Sequence, residues 1–223
     1  MALALVHSRA RCGLHAPPVT VEVHLSRGLP GFQLVGLPET SVKEAKDRVR
    51  SALINSGFEF PDHKITVNLA PADLPKEGGR FDLAIALGIL HASGQLQADL
   101  SAYEFFGELA LSGEIRSIVG ELPLALACKM AEHIAVFPLQ NAIQAQQVPD
   151  IKLCGAEHLL QLHAFLLHHQ ALPAIPAIPT SAPELQPDLA EVKGQAQAKR
   201  VLEIAAAGEH NLLMFGPAGT GKS

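Results

Sequence analysis

Five prolines, Pro173, Pro176, Pro179, Pro183 and Pro187, punctuate a stretch whose other residues are mostly Ala, Ile, Ser and Thr. Each proline fixes its own φ and removes a backbone donor, so neither a continuous helix nor a central strand can pass through. The stretch reads as a linker of polyproline character, rising about 3.1 Å per residue. The 223-residue chain is therefore expected to divide into a domain over residues 1–170, a linker over 171–187 and a second segment over 188–223. With 48% hydrophobic residues overall, the first part can fill its own core, whereas the last is too short to close one.

Before the linker, period-two and helical patterns alternate. Val19, Val21 and Val23 interleave with Thr20, Glu22 and His24, the mark of a strand with one buried face. Phe32–Val35 reads as its partner strand. From Glu39 to Ser56, Val42, Ala45, Val49, Ala52 and Leu53 fall at helical spacing, with Ser41 and Glu44 as a capping box and Gly57 as the stop. Lys64–Leu69 alternates again. Pro71 and Pro75 then interrupt regular structure before an apolar helix over about Phe81–Ser93. Phe105–Leu111 and Glu114–Ile118 flank Ser112-Gly113, a hairpin turn. Helices near Leu122–His133, Leu139–Gln147 and Glu157–His168 enclose strands at Ile134–Phe137 and Ile151–Cys154. Hairpins mixed with crossovers imply an α/β fold, of the α+β kind, built on a mixed sheet. After the linker, a helix over Gln195–Ala207 and a strand over Asn211–Phe215 lead into a glycine-rich turn.

That turn carries the clearest chemistry. Gly216-Pro217-Ala218-Gly219-Thr220-Gly221-Lys222-Ser223 is a complete G-x-x-x-x-G-K-S after an expected strand, the phosphate-binding P-loop pattern. Glycines let successive N–H groups converge on phosphate oxygens, Lys222 would neutralise the β and γ phosphates, and the Ser223 hydroxyl would ligate Mg²⁺. ATP with Mg²⁺ is the expected ligand of the parent protein, with weak or absent binding expected for this chain alone. No Walker B carboxylate or arginine finger is assigned, so no catalytic residue is placed in this chain and ATP hydrolysis by the chain as it stands is not expected.

Charge limits the other classes. The formal charge of −5 opposes an autonomous nucleic-acid binder, so contacts with DNA would be local or made by an assembly. On the Glu39–Ser56 helix, Lys43, Lys46 and Arg50 share a face that could meet phosphates, but Glu44 and Asp47 beside them favour a solvated, ion-paired surface. Cys12, Cys128 and Cys154 are odd in number and far apart, which argues against a disulfide framework or zinc site and for a reducing cytoplasm. His158, His163, His168 and His169 lack the i, i+4 spacing of paired metal ligands. Lys76, Glu77, Arg80 and Asp82 concentrate charge in one loop, as an ion-pair network within the domain or between subunits. No run of 18 apolar residues is present, and the short apolar start is broken by His7, Arg9 and Arg11, so neither a membrane span nor secretion is expected.

Val35-Gly36-Leu37-Pro38-Glu39, Arg48-Val49-Arg50-Ser51-Ala52, Asn68 to Gly78 (NLAPADLPKEG), Phe81-Asp82-Leu83-Ala84-Ile85-Ala86 and Gly107-Glu108-Leu109 resemble the ComM/YifB family of magnesium-chelatase-like AAA+ ATPases. The resemblance covers essentially the whole chain. It implies a Lon-protease-like domain followed by the start of a P-loop AAA+ module, with Val192 and Gly194, in Val192-Lys193-Gly194-Gln195, bordering the adenine. It further implies a hexameric bacterial cytoplasmic ATPase acting on DNA through the assembled ring, by branch migration or helicase action in natural transformation and recombination. On this resemblance the chain is expected to be an N-terminal portion that stops at the Walker A motif.

Two alternatives remain. The first is a folded module that binds or oligomerises without ATPase activity. The second is a Ser-Lys peptidase like Lon, but the comparable positions here hold Arg80 and Leu122, which supply neither a nucleophilic oxygen nor a proton acceptor.

Overall fold

A computed structural model describes residues 2–36, 42, 44–168, 170–178 and 188–217, in two units, Met1–Ile178 and Pro179–Ser223. The first unit is built on a sheet of seven strands: β1 (Ala2–Arg9), β2 (Pro18–Ser26), β3 (Gly31–Val35), β4 (Lys64–Ala70), β5 (Tyr103–Phe105), β8 (Ile134–Pro138) and β9 (Leu153–Ala156). Their order is β3-β4-β2-β1-β5-β8-β9, so β3 pairs with β4 and not, as expected, with β2: β4 pairs antiparallel with β2 and lies between them. The pairs β1/β2 and β2/β4 are antiparallel, and the remaining four are parallel. This is the mixed α/β sheet expected from the alternating patterns.

Valine alternation sets the register. Val21 lies opposite Val6 on β1 and Leu69 on β4, and Val23 opposite Ala4 and Val67, which gives one face a continuous apolar band. Helix α1 (Ala45–Asn55) and helix α2 (Asp82–Ala92) pack in this core. Every residue of α2 except His91 is buried, so it shows almost no polar face. Its Gly88 permits close approach to β2, since a Cβ there would stand 2.5 Å from Val23 Cγ2. Fully buried Leu83, Leu87 and Ile89 each contribute about 1.5–3 kcal/mol by leaving water. A smaller core gathers Phe106, Phe137 and Ala135 with Leu124, Ala125 and Cys128 of α3 (Glu121–Met130) and Ala142 and Ala145 of α4 (Leu139–Ala145). Its two phenylalanine rings stack at 4.8 Å. Helix α5 (Leu159–Leu166) closes the unit, its start capped by the His158 ring, which accepts from Leu160 N at 3.1 Å.

Several elements differ from the sequence expectation. The N-terminal apolar run is β1, a central strand. Its alternation is hidden because Leu3 and Leu5, on the opposite face from Ala4 and Val6, are also apolar although about half exposed. The single strand expected over Phe105–Leu111 is broken at Gly107, whose φ of 155° turns the chain. Beyond it, β6 (Glu108–Leu109) pairs with β7 (Ile115–Arg116) around the expected Ser112-Gly113 turn, outside the main sheet. At α1, Glu44 holds the cap position without a side-chain cap bond and pairs with Arg48 at 3.6 Å, while Ser41, its expected capping-box partner, lies outside the described residues.

In the second unit, Asp188 caps a short 3₁₀ turn (Leu189–Glu191) by accepting from Ala190 N at 2.8 Å, and α6 spans Ala196–Ala207. The strand expected over Asn211–Phe215 does not form, and these residues are irregular. A strand needs a neighbour for its backbone groups, and the described residues of this unit supply none. Leu213 and Phe215 are accordingly 89% and 100% exposed, and no residue of α6 is buried.

Candidate functional site

The P-loop begins directly after this irregular segment. Gly216 and Pro217 are described, whereas Ala218, Gly219, Thr220, Gly221, Lys222 and Ser223 lie outside the described residues. Val192 is 45% exposed and returns its N–H to Leu189 O at 3.3 Å. Gly194 follows with φ +71° and open space around its Cα, then Gln195 enters α6 in the left-handed region at φ 53°. Gln197, Ala198 and Val201 of α6 border a shallow apolar hollow of about 230 Å³ with Leu212, Leu213 and Met214. The donor set of the motif, glycine N–H groups, a lysine ammonium and a serine hydroxyl, suits a nucleotide phosphate with its magnesium ion.

The charged loop before α2 is brought into the first unit, though no ion pair joins its four members. Asp82, in the first turn of α2, accepts from Arg48 Nε at 2.7 Å and Nη2 at 3.2 Å, and from Leu109 N at 3.3 Å. Burial pushes its carboxyl up to about 6 despite the Arg48 guanidinium. This pair ties α1, α2 and β6 together. Lys76 is fully buried, and its Nζ donates to Gly36 O at 3.0 Å and to Pro71 O. Burial lowers its pKa, opposed by Asp73. Arg80 is 6% exposed and donates from Nε to Glu77 O at 3.2 Å, while its Nη1 has no partner. Neither Arg80 nor Leu122 supplies the chemistry of a peptidase dyad, and Leu122 is 40% exposed on the first turn of α3.

A second buried network escaped the sequence pattern. Glu104 on β5 accepts from Arg9 Nε at 2.6 Å and Nη2 at 2.7 Å, from Cys128 Sγ at 3.0 Å, and faces His133 Nδ1 at 2.8 Å. Arg9 Nη1 also donates to Ala16 O at 3.0 Å. Burial raises the Glu104 carboxyl, but hydrogen bonds from Arg9, Cys128 and His133 outweigh it and hold the group below its usual range. The Cys128 thiol is pushed up by burial and then by Glu104, which leaves it unreactive. The pairing of β1 with β5 brings Arg9 to Glu104, and their sequence separation of 95 carries no local signal.

The histidines near α5 serve the fold. His158 caps the helix and also meets Ser112 O at 3.1 Å, and His163 Nε2 meets Gln95 O at 2.9 Å. His169 lies outside the described residues, and among those described no group of three His, Cys, Asp or Glu side chains could hold a metal ion. On α1, Arg50 stacks over Phe60 at 5.1 Å, and Lys46 borders a nearby hollow of about 220 Å³, so the basic residues there are partly engaged with the protein itself. Lys43 lies outside the described side chains.

Comparison with known proteins gives this architecture its place. Residues 21–141 match the family model described as subunit ChlI of Mg-chelatase, and residues 188–223 match that of magnesium chelatase, subunit ChlI. The chain is 53% identical over 224 residues to the uncharacterized protein YifB of Salmonella typhimurium, covering 100% of this chain and 44% of the relative. It is 53% identical over 229 residues to competence protein ComM of Haemophilus influenzae, covering 100% and 45%. Against the uncharacterized protein Rv2897c of Mycobacterium tuberculosis the identity is 39% over 225 residues, again covering 100% and 45%. The chain belongs to the magnesium-chelatase ChlI family, as a ComM/YifB-like member. It spans a little under half the length of these curated relatives. No helix among the described residues is long and apolar enough to cross a membrane.

Proposed function

We propose that the protein is an AAA+-type ATPase whose nucleotide site begins in this chain at Gly216–Ser223. The observation that carries the reading is the complete G-x-x-x-x-G-K-S within the 188–223 segment matched by the ChlI model. In this reading residues 1–170 form a Lon-like domain without peptidase residues, 171–187 a linker, and 188–223 the opening of the ATPase module. Backbone N–H groups of Gly216, Pro217's neighbours and Gly219–Gly221 cradle phosphate, Lys222 neutralises it, and Ser223 holds Mg²⁺, with Val192 and Gly194 bordering the base. The ATP and Mg²⁺ dependence of the family supports this assignment.

The work done with that energy is proposed to be on DNA, through branch migration or helicase action by a cytoplasmic hexameric ring. The name of the competence-protein relative supports it. The net charge of −5 favours DNA contacts made by an assembly over contacts made by a single chain. Calorimetry with ATP and Mg²⁺ on the chain extended to the length of its relatives tests the site. Saturable binding lost in Lys222→Ala supports it, and binding unchanged by that substitution contradicts it.

A second reading rests on the burial pattern. Among the described residues every buried hydrophobic side chain lies at or before Leu166, which supports a first unit with the core of a module that folds by itself. A stable 1–178 fragment that assembles with itself or with a partner, with ATP leaving that assembly unchanged, would favour this role.

A further inference from the structure

Two hollows flank the segment Phe60–His63, which leads into β4. One, of about 220 Å³, lies against α1 and the start of β3 and is lined by Lys46, Arg50, Phe32 and Gly31. The other, of about 550 Å³, lies between the end of β2 and the end of α2 and is lined by Arg27, Glu59, Ser93 and Gln95. Phe60, Pro61, Asp62 and His63 line both, so the hollows adjoin across one wall. That wall is tied down on either side. Gln95 accepts from Glu59 N and donates back to Glu59 O, both at 2.9 Å, and His63 O accepts from Gly31 N at 3.4 Å. A surface held in this way loses little freedom when a ligand settles on it.

The side chains along the wall are open to a ligand. Phe32 and Phe60 pack against the core yet stay partly exposed at the smaller hollow. Arg50 lies over the Phe60 ring at 5.1 Å, which sets a cation beside an aromatic face. Lys46 and Arg27 are exposed, and among the described residues neither makes an ion pair or a side-chain hydrogen bond. Two carboxylates, Glu59 and Asp62, stand among these cations. A ligand that uses all of them presents phosphate to the cations, a flat ring to the phenylalanines and hydrogen-bond donors to the carboxylates. A nucleotide unit has those three parts. In a duplex the base faces are stacked on one another, so a single strand is the form that offers them.

We propose that the Phe60–His63 wall and its two hollows bind single-stranded DNA. Phe32 and Phe60 stack a base, Lys46, Arg50 and Arg27 meet phosphates, and Asp62 accepts from a base amine. The inference rests on the reading of the protein as one that works on DNA, and it names the surface of the first unit that meets the strand. Three phosphate contacts are few, so one chain binds weakly and an assembly of copies adds their contacts together, in keeping with the net charge of −5. The surface uses none of the residues Gly216–Ser223.

Fluorescence anisotropy of a labelled strand of about twelve deoxycytidines tests the proposal, with the duplex of the same length as a parallel arm. The full chain carries Lys222→Ala, so that the P-loop lysine cannot supply the phosphate contact. The expected Kd for the single strand is on the order of 10–100 µM at low salt, tenfold or more below that for the duplex. Log K should fall against log salt with a slope of about −2, from three cations at roughly 0.7 each. Lys46→Ala, at an exposed side chain, should weaken binding several-fold and reduce the slope by about 0.7. Phe60→Leu should weaken it about tenfold with the slope unchanged, and Arg27→Ala takes its place, matching Lys46→Ala, if that variant does not fold. No strand binding, equal affinity for the duplex, or affinity and slope unchanged by these substitutions would overturn the proposal. The same substitutions in the chain extended to its relatives' length separate the two readings. Strand binding there that ignores them overturns this surface and leaves the DNA reading standing, whereas no strand binding by either chain removes both.

Discussion

Two arginines buried to the same degree, Arg9 at 8% and Arg80 at 6% exposure, meet opposite surroundings. Arg9 is held by both oxygens of Glu104 and by Ala16 O, with Cys128 and His133 satisfying the same carboxylate. Arg80 has one carbonyl and a neighbouring cation. Where a network closes on itself it fixes strand positions, here β1 against β5 and α3. Where it stays open it gives up stability.

The largest effect should follow from breaking the closed network. Glu104→Ala leaves Arg9 buried without its counter-charge and should destabilise the first unit by about 3–5 kcal/mol, read as a lower denaturant midpoint. A loss below about 1 kcal/mol would show that the Arg9 cluster is solvated and that the contrast with Arg80 is false.

The next effect is in pH dependence. Asp82 is raised to about 6 from 3.8, so the folded state holds its proton more tightly than the unfolded chain does. Its contribution is fully present below pH 3.8 and is lost as pH rises through about 6, a decline of roughly 2–3 kcal/mol. Glu104 is lowered, so its contribution is present above its ordinary range and lost as pH falls through the depressed value. Unfolding free energies of Asp82→Asn and Glu104→Gln, each measured from pH 4 to 7 against the parent, should therefore change slope in opposite directions. Slopes changing in the same direction would contradict the burial-dominated reading of Asp82.

Smallest, and opposite in sign to Glu104→Ala, is Arg80→Met. Replacing an unpaired buried cation by an apolar side chain of similar length should be neutral or stabilise by up to about 2 kcal/mol. Marked destabilisation, with an unchanged fold by circular dichroism, would mean that Arg80 is paired and belongs with Arg9.

The legibility of these regions in the sequence follows the range of the interactions involved. Valine alternation in β2 and the helical spacing of Val49, Ala52 and Leu53 are local signals, and both produce the expected elements. β1 was not legible because Leu3 and Leu5 are apolar on its more open face, and the strand expected at Asn211–Phe215 failed because pairing depends on a neighbour rather than on composition. The P-loop is visible as consecutive residues. The Lys76–Asp82 loop was legible as a cluster of charge, but Arg48 as the partner of Asp82 was not, since that bond spans 34 residues.

The central claim is that nucleotide chemistry starts at Gly216–Ser223 and owes nothing to the charged loop of the first unit. Steady-state ATP hydrolysis by the chain extended to its relatives' length, compared between Lys222→Ala and Arg80→Met, tests it most directly. A fall of about 100-fold or more in Lys222→Ala is expected, from loss of the group that neutralises the transferred phosphate, with Arg80→Met near the parent rate. Hydrolysis that survives Lys222→Ala but falls with Arg80→Met would contradict the account.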